Sequence, residues 1–517
     1  MTRRLIVGLD QGTTSTRAVV FDATGTEQGS SQMEHRQHYP QPGWVEHDAT
    51  EILTNARRTV EAAVRSAGAV ADEVVALGIT NQTETTVIWD RRTGAPIGNA
   101  VTWQDTRGAD VLASLDRADP RVAQIEQDCM TGINDYFAAT KIMWLLDNVP
   151  GARARAEAGE LAYGSMESWL AWNLTGGPDG GVHVTDVSNA SRTLMMDLRS
   201  LDWSTAALDY FSIPRPLLPT IVPTSQVVGH VADGEPIPGV PIAALMGDQQ
   251  AATFGHTAFT AGEAKCTYGT GNFLIYNTGT VARTSSNGLI PTVIYQLAGQ
   301  APVYGLEGSV AVTGSLVQWL RDSMGFITRA EEIESLAASV PDSGGVTIVP
   351  AFSGLYAPHW HRQARGTITG LTHFSTPAHL ARAALDACAL QTAELISAAQ
   401  ADTGVPLATL RVDGGGTNND LLMSIQAGLI GVPVSKPQVT EATALGVAYG
   451  AGLAIGLWSG LDQLRGHWRE LRRWQPTWTR AERTEAFARW ARALQATFAA
   501  EEPAPGQRPA DPEPAIG

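Results

Sequence analysis

The stretch Leu5-Ile6-Val7-Gly8-Leu9-Asp10-Gln11-Gly12-Thr13-Thr14-Ser15-Thr16-Arg17-Ala18-Val19-Val20-Phe21-Asp22 constrains this chain more than any other. An apolar run ends in an aspartate. A glycine and hydroxyl residues follow, then an arginine, then a second apolar run. Both runs are short and rich in β-branched residues, which predicts two strands joined by a tight polar turn. Gly12 supplies backbone freedom to the turn, and its N–H and O–H groups supply donors. Such a turn suits phosphate, and Asp10 at the strand end is placed to meet a metal ion or its water shell. A Walker loop is excluded, because G-x-x-x-x-G-K-[ST] is absent and a strand follows instead of a helix. An ordinary surface hairpin is the alternative this stretch leaves open.

At 517 residues the chain exceeds what one core holds, so two large domains are expected. A net charge of −16 argues against nucleic acid or an anionic membrane as partner. It also means that an anionic ligand must be held by local donors and Mg²⁺ against the global field. Cys129, Cys266 and Cys388 are far apart and lack metal-ligand spacing, which fits a reducing compartment without a disulfide framework. The N-terminus runs straight into a predicted strand, so no signal peptide is expected, and no apolar run reaches the ~18 residues of a membrane span. A cytoplasmic protein is the expectation.

After the hairpin, Asp48 is a predicted N-cap for a helix over Ala49–Ala67, whose Ile52, Ala56, Val60 and Val64 share a face. Val74–Thr80 and Thr85–Asp90 are predicted strands flanking the polar corner Asn81-Gln82-Thr83-Glu84. Helices are predicted over Tyr136–Asn148 and Ser168–Leu174, a proline-rich linker over Pro214–Pro223, and a strand over Pro241–Met246 leading into Gly247-Asp248-Gln249-Gln250. The alternation of strands and helices indicates an α/β sheet. The pattern then restarts. Glu263–Tyr268, Gly269-Thr270-Gly271 and Asn272–Asn277 form a second hairpin that echoes the first. Further on come helices over Thr313–Arg321, Pro377–Ala401, Thr443–Gly452 and Arg480–Ala499, and strands over Val346–Pro350 and Leu410–Asp413. Two halves that each begin with a phosphate-type hairpin predict a duplicated actin-like (ribonuclease H-like) ATPase architecture with a cleft between its domains. The boundaries read as 1–254 and 255–500, with a disordered tail rich in Pro, Gly and charge over 501–517.

Several constellations carry chemistry. Gly414-Gly415-Gly416 between a strand and a helix lets a nucleotide approach the backbone, and Asn419 could donate to a base or phosphate. Asp248 after an apolar strand suits a general base that takes a proton from a hydroxyl, with Gln249 fixing that hydroxyl; an N-cap is the equal alternative. Glu84 can accept hydrogen bonds from a polyhydroxy ligand. Trp103 offers an apolar wall to C–H faces, or packs in the core. Tyr136 either bonds a ligand or staples its helix. Lys141 reads as a surface or ion-pair lysine, and the histidines show no metal spacing.

Taken in order along the chain, these blocks resemble the FGGY family of carbohydrate kinases from Ile6 to about Trp458. They include Asp10-Gln11-Gly12-Thr13-Thr14-Ser15, Asn81-Gln82-Thr83-Glu84-Thr85, Tyr136-Phe137 with Lys141, Gly247-Asp248-Gln249-Gln250, Thr267-Tyr268-Gly269-Thr270-Gly271, Leu306-Glu307-Gly308 and Val412-Asp413-Gly414-Gly415. The resemblance implies ATP-dependent phosphorylation of a terminal hydroxyl of glycerol or a related small polyol in the cleft. It implies Asp248 as the base, and Thr83, Glu84, Trp103, Tyr136, Gln249 and Phe273 around the polyol. Thr13, Thr14, Ser15 and Arg17 match the family's phosphate-holding turn, and Thr270, Gly314, Gln318, Gly415 and Asn419 its nucleotide contacts. Asp10 matches the residue near Mg²⁺. A homo-dimer or tetramer is compatible with it. One departure matters: members that phosphorylate glycerol carry arginine where this chain has Thr83. A shorter, neutral residue makes the site less basic and roomier, and admits erythritol or threitol as an alternative substrate. The loop Gly229–Gly239 also lacks the glycine/arginine motif through which some members bind an inhibitory sugar bisphosphate.

Overall fold

The computed structural model describes residues 3–500, so the tail expected over 501–517 lies outside the described residues. In the first half, β1 (Leu5–Gln11), β2 (Ser15–Phe21) and β3 (Glu27–Glu34) form an antiparallel meander. Helix α1 (Ala49–Ser66) follows, capped by Asp48, whose carboxylate accepts from the Thr50 and Glu51 N–H groups. Such a cap stabilises a helix by about 1 kcal/mol. The face predicted for α1 is the one it buries on the sheet, through Ile52, Ala56 and Val60. Strand β4 (Val74–Asn81) then lies parallel to β1. Helices α2 (Ala138–Asn148) and α3 (Met166–Leu174) come next, then β5 (Ser225–His230), β6 (Pro241–Gly247) and α4 (Asp248–Gly255). The sheet order is β5-β6-β4-β1-β2-β3.

The second half repeats this plan. Strands β7 (Glu263–Tyr268), β8 (Asn272–Gly279), β9 (Ile290–Tyr295) and β10 (Val303–Val310) are antiparallel neighbours. Helices α5 (Gly314–Asp322) and α6 (Pro377–Thr403) precede β11 (Thr409–Asp413), which lies parallel to β7. Then come α7 (Asp420–Ile430), β12 (Val434–Pro437), α8 (Ala442–Ala454), β13 (Glu470–Trp474) and α9 (Arg480–Ala499). The order is β9-β10-β8-β7-β11-β12-β13. Setting β9 aside, both sheets have three antiparallel strands, two parallel ones and an antiparallel edge. The duplicated α/β architecture expected from the two hairpins is therefore present in the topology.

The halves meet through α4 and α8. Gly446 of α8 lies so close to α4 that a Cβ there would sit 1.8 Å from the Ala251 carbonyl oxygen. Helix α8 crosses onto the first sheet, where Ala444, Val447 and Ala448 pack with Ile6, Val19 and Met246. The stretch predicted as a proline-rich linker instead contains the strand Thr220–Val222, paired with Val184–Asp186. Its prolines fall outside the β-branched Thr220-Ile221-Val222, so no ladder donor is lost. Among the described residues no helix is long and apolar enough to cross a membrane.

Candidate active site

Strand β6 delivers Asp248 to the cleft. Gly247 takes the N-cap place and Asp248 is the first residue of α4, so its carboxylate stands in the cavity lining while satisfying one first-turn N–H. Oδ1 accepts from the Gln249 backbone N–H at 2.7 Å and Oδ2 from Gln249 Nε2 at 3.2 Å. Asp248 lines a cavity of about 110 Å³ together with Thr13, Gln82, Thr83, Glu84, Trp103, Tyr136, Gln249, Phe273 and Glu307. Burial pushes its carboxyl up to about 6; Lys265 opposes this and Glu84 adds to it. A carboxyl so tuned is a competent proton acceptor near neutral pH.

The opposite wall rests on a buried charge network. Glu84 has a left-handed backbone, φ 60°, at the corner after β4. Strain of this kind persists where the surroundings over-determine it. Here Glu84 Oε1 accepts from Arg192 Nε at 2.6 Å, and Oε2 accepts from Thr83 Oγ1 at 2.6 Å. Arg192 Nη2 reaches Glu307 Oε1 of β10 at 3.3 Å, joining the two halves. Burial, Glu84 and Asp248 push the Glu307 carboxyl up to about 7 against the pull of Arg192. The apolar wall is made of Trp103, Tyr136 and Phe273, with Trp103 edge-on to both other rings at centroid distances of 6.3 and 6.4 Å. Trp103 Nε1 donates to Thr13 Oγ1 at 3.1 Å and so ties this wall to the hydroxyl turn.

In that turn the Gly12 N–H donates to the Ser15 carbonyl at 2.9 Å. Asp10 and Arg17 face each other in the β1–β2 register, and Arg17 Nη1 pairs with Glu441 Oε1 at 2.8 Å. Among the described residues Asp10 Oδ1 is buried without a hydrogen-bond partner. Burial first, then Asp248 and Glu441, push its carboxyl up to about 7 despite Arg17. The locality is short of positive charge. Among the described residues no group of three or more His, Cys, Asp or Glu forms a metal cage. A single strand-end carboxylate fits Mg²⁺, which keeps several waters and takes its other ligands from phosphate oxygens.

A second cavity of about 440 Å³ lies in the second half, lined by Thr270, Gly314, Gln318, Gly415, Asn419 and neighbours from α5 and α7. Gly414 is required here: its φ is +85° and a Cβ would lie 2.5 Å from the Tyr268 carbonyl oxygen. Asn419 is the N-cap of α7, its Oδ1 accepting from the Leu422 N–H at 2.8 Å. Its Nδ2 donors remain for a ligand.

Thus Thr83, Glu84, Trp103, Tyr136, Asp248, Gln249 and Phe273 share one cavity with Thr13, and the five residues read as nucleotide contacts share the other. Thr14, Ser15 and Arg17 line neither cavity. Ser15 Oγ accepts from Gln32 Nε2 at 2.9 Å. Sequence reasoning missed Gln82 and Glu307 as lining residues, and Arg192 and Lys265 behind them. Lys141 is a correction. It is fully buried, and its Nζ donates to the carbonyls of Tyr136 at 2.6 Å and Phe137 at 3.1 Å, so it is neither a surface nor an ion-pair lysine. The carbonyls that open α2 supply the acceptors a charged lysine needs. A cavity of about 690 Å³, bordered by Leu112, Ile133, Asp135, Leu289, Trp360 and Arg362, lies beside this site but contains none of its chemistry.

The fold matches the crystal structure of Plasmodium falciparum glycerol kinase with ADP at a TM-score of 0.90 and 35% identity, covering 96% of this chain and 98% of that one. A ligand-bound xylulose kinase from Lactobacillus acidophilus matches at a TM-score of 0.86 and 19% identity, over 96% of this chain and 99% of that one, a likeness of fold alone. Two duplicated α/β domains about a cleft place this chain in the two-domain sugar-kinase fold class. A glycerol kinase of Clavibacter michiganensis subsp. michiganensis is 53% identical over 498 residues, 96% of this chain and 98% of its own. One of Methylorubrum extorquens is 54% identical over 492 residues, 95% of this chain and 97% of its own. Residues 5–255 match the N-terminal domain of the FGGY family of carbohydrate kinases, and residues 264–455 match its C-terminal domain. The chain belongs to the FGGY family.

Proposed function

We propose that this kinase transfers the γ-phosphoryl group of ATP to a terminal hydroxyl of glycerol, giving sn-glycerol 3-phosphate and ADP, in the cytoplasm. The observation that carries the reading is the cavity of about 110 Å³ in which Asp248 and Gln249 face Glu84, Trp103, Tyr136 and Phe273. It is smaller than the ~150 Å³ cavity that accommodates benzene, a scale suited to a three- or four-carbon polyol. Glu84 and Gln249 orient the polyol by hydrogen bonds, and the three aromatic rings pack on its C–H faces. Asp248 takes the proton as the hydroxyl oxygen bonds to phosphorus and the bond to the β–γ bridging oxygen breaks. The turn Thr13–Ser15 with Arg17 receives the phosphates, Asp10 holds Mg²⁺, and the cavity around Thr270, Gly314, Gln318, Gly415 and Asn419 receives the nucleoside. Mg²⁺ supplies charge neutralisation on the phosphate oxygens. The protein's share is alignment and electrostatics, which suffice for phosphoryl transfer.

A four-carbon polyol is the second reading, favoured by Thr83, whose short side chain turns to Glu84 and leaves its position without a cation. ADP release measured over glycerol, erythritol, threitol and xylitol tests both. Glycerol as best substrate with a low KM supports the first reading, and a better erythritol or threitol rate replaces it with the second. ADP release at full rate without polyol would overturn both in favour of an actin-like assembly ATPase.

A further inference from the structure

Lys265 is fully buried in β7, on the cleft-facing side of the second sheet. Strand register sets it opposite Ile275 of β8, which is itself opposite Glu307 of β10. Phe273, two residues before Ile275, shares that face. Phe273 and Glu307 line the polyol cavity, and Lys265 lies behind them. Its Nζ crosses from the second half to the first and donates to Gln249 Oε1 at 2.6 Å.

We propose that Lys265 is a positioning residue for phosphoryl transfer: it fixes the Gln249 amide with its oxygen toward the second domain and its NH₂ toward Asp248 and the polyol. An amide side chain is nearly symmetric in shape, and only its partners decide which end is oxygen. An ammonium has donors alone, so it selects the oxygen. Gln249 Nε2 is then left with one hydrogen toward Asp248 Oδ2, at 3.2 Å, and one for the substrate. The link crosses the cleft, so full orientation of Gln249 requires both halves in register. The charge of Lys265 also opposes the burial of Asp248 and Glu307, which supports its place in this cluster.

The inference rests on the assignment of Asp248 and Gln249 to the polyol site, and the test separates the two. Steady-state kinetics are measured for Lys265→Met, Lys265→Gln, Gln249→Ala and the double variant Lys265→Met/Gln249→Ala, with varied glycerol and varied ATP. Lys265→Met should raise the glycerol KM and lower kcat/KM for glycerol by about tenfold or more, with the ATP KM within about twofold. Lys265→Gln keeps a donor for Oε1 but adds an acceptor, so it should recover only part of the loss, with a glycerol KM between those of wild type and Lys265→Met. Because Lys265 acts through Gln249, the double variant should be no worse than Gln249→Ala when both are assayed well above the Asp248 pKa, where losing the Lys265 charge leaves the base ionised. Losses that multiply in the double variant, or a wild-type glycerol KM in Lys265→Met, would overturn the inference. If Lys265→Met no longer binds ATP and so is misfolded, the contrast of Lys265→Gln with Gln249→Ala carries the test: equal losses overturn it. Turnover surviving in Asp248→Asn would instead overturn the site assignment.

Discussion

Removing the guanidinium of Arg192 is the perturbation whose size follows most directly from the structure. Its side chain is 1% exposed, and its partners Glu84 and Glu307 are 2% and 4% exposed. Burial alone would favour the uncharged form of Arg192, yet Glu307 and Glu84 outweigh it and raise its pKa, so the guanidinium is held charged. Arg192→Met leaves two carboxyl groups facing each other without the cation between them. Breaking a buried pair by removing one partner costs about 3–5 kcal/mol. Glu307 is already pushed up to about 7 and will take a proton, which offsets part of that cost and favours the lower end. At about 2 °C per kcal/mol for a large domain, the melting temperature should fall by about 6–10 °C. The glycerol KM should rise with it, because Glu84 loses the hydrogen bond at 2.6 Å that fixes Oε1. Thermal melts with and without glycerol, alongside polyol kinetics, measure both effects. Arg192→Met/Glu84→Gln should melt higher than Arg192→Met alone, since it removes the orphaned charge. A melting temperature within 2 °C of wild type, or a double variant less stable than the single, would refute the reasoning.

Thr83→Arg places a cation and several donors beside Glu84, and should lower the glycerol KM while removing activity on four-carbon polyols; an unchanged polyol profile would show that this position does not set specificity. The base must be ionised to act and its pKa is raised by burial to about 6, so kcat/KM for glycerol should be level above that pH and fall about tenfold per unit below it. A profile level down to pH 4.5 would contradict that role for Asp248. Gly446→Ala puts a methyl group 1.8 Å from the Ala251 carbonyl oxygen, and should destabilise the chain by about 3 kcal/mol as read by denaturant titration.

The parts of this protein legible in its sequence are those where one short segment carries the whole signal. The turn Asp10–Ser15 announces itself by an apolar run, a carboxylate and a run of hydroxyls, and it stands between two strands in the structure. Helix α9 begins at the predicted Arg480, after Thr479, whose hydroxyl caps it by accepting from the Glu482 N–H. Asp248 was ambiguous because an aspartate before a helix is usually a cap, and only the displacement of the cap to Gly247 separates the two roles. What stayed hidden was charge whose partners come from distant strands. Glu307, Arg192 and Lys265 lie far apart in the chain, and no local spacing shows that the topology turns them toward one site. Lys141 misled for a related reason: its partners are backbone carbonyls, which sequence does not mark.

The central claim is transfer of phosphate from ATP to glycerol with Asp248 as the base. Its most direct test is a single-turnover measurement with γ-³²P-labelled ATP, Mg²⁺ and glycerol, comparing wild type with Asp248→Asn. The account predicts label in sn-glycerol 3-phosphate for wild type, and transfer slowed by about a hundredfold or more in the variant with nucleotide affinity retained. Label appearing as inorganic phosphate in the wild type, or transfer undiminished in Asp248→Asn, would contradict it.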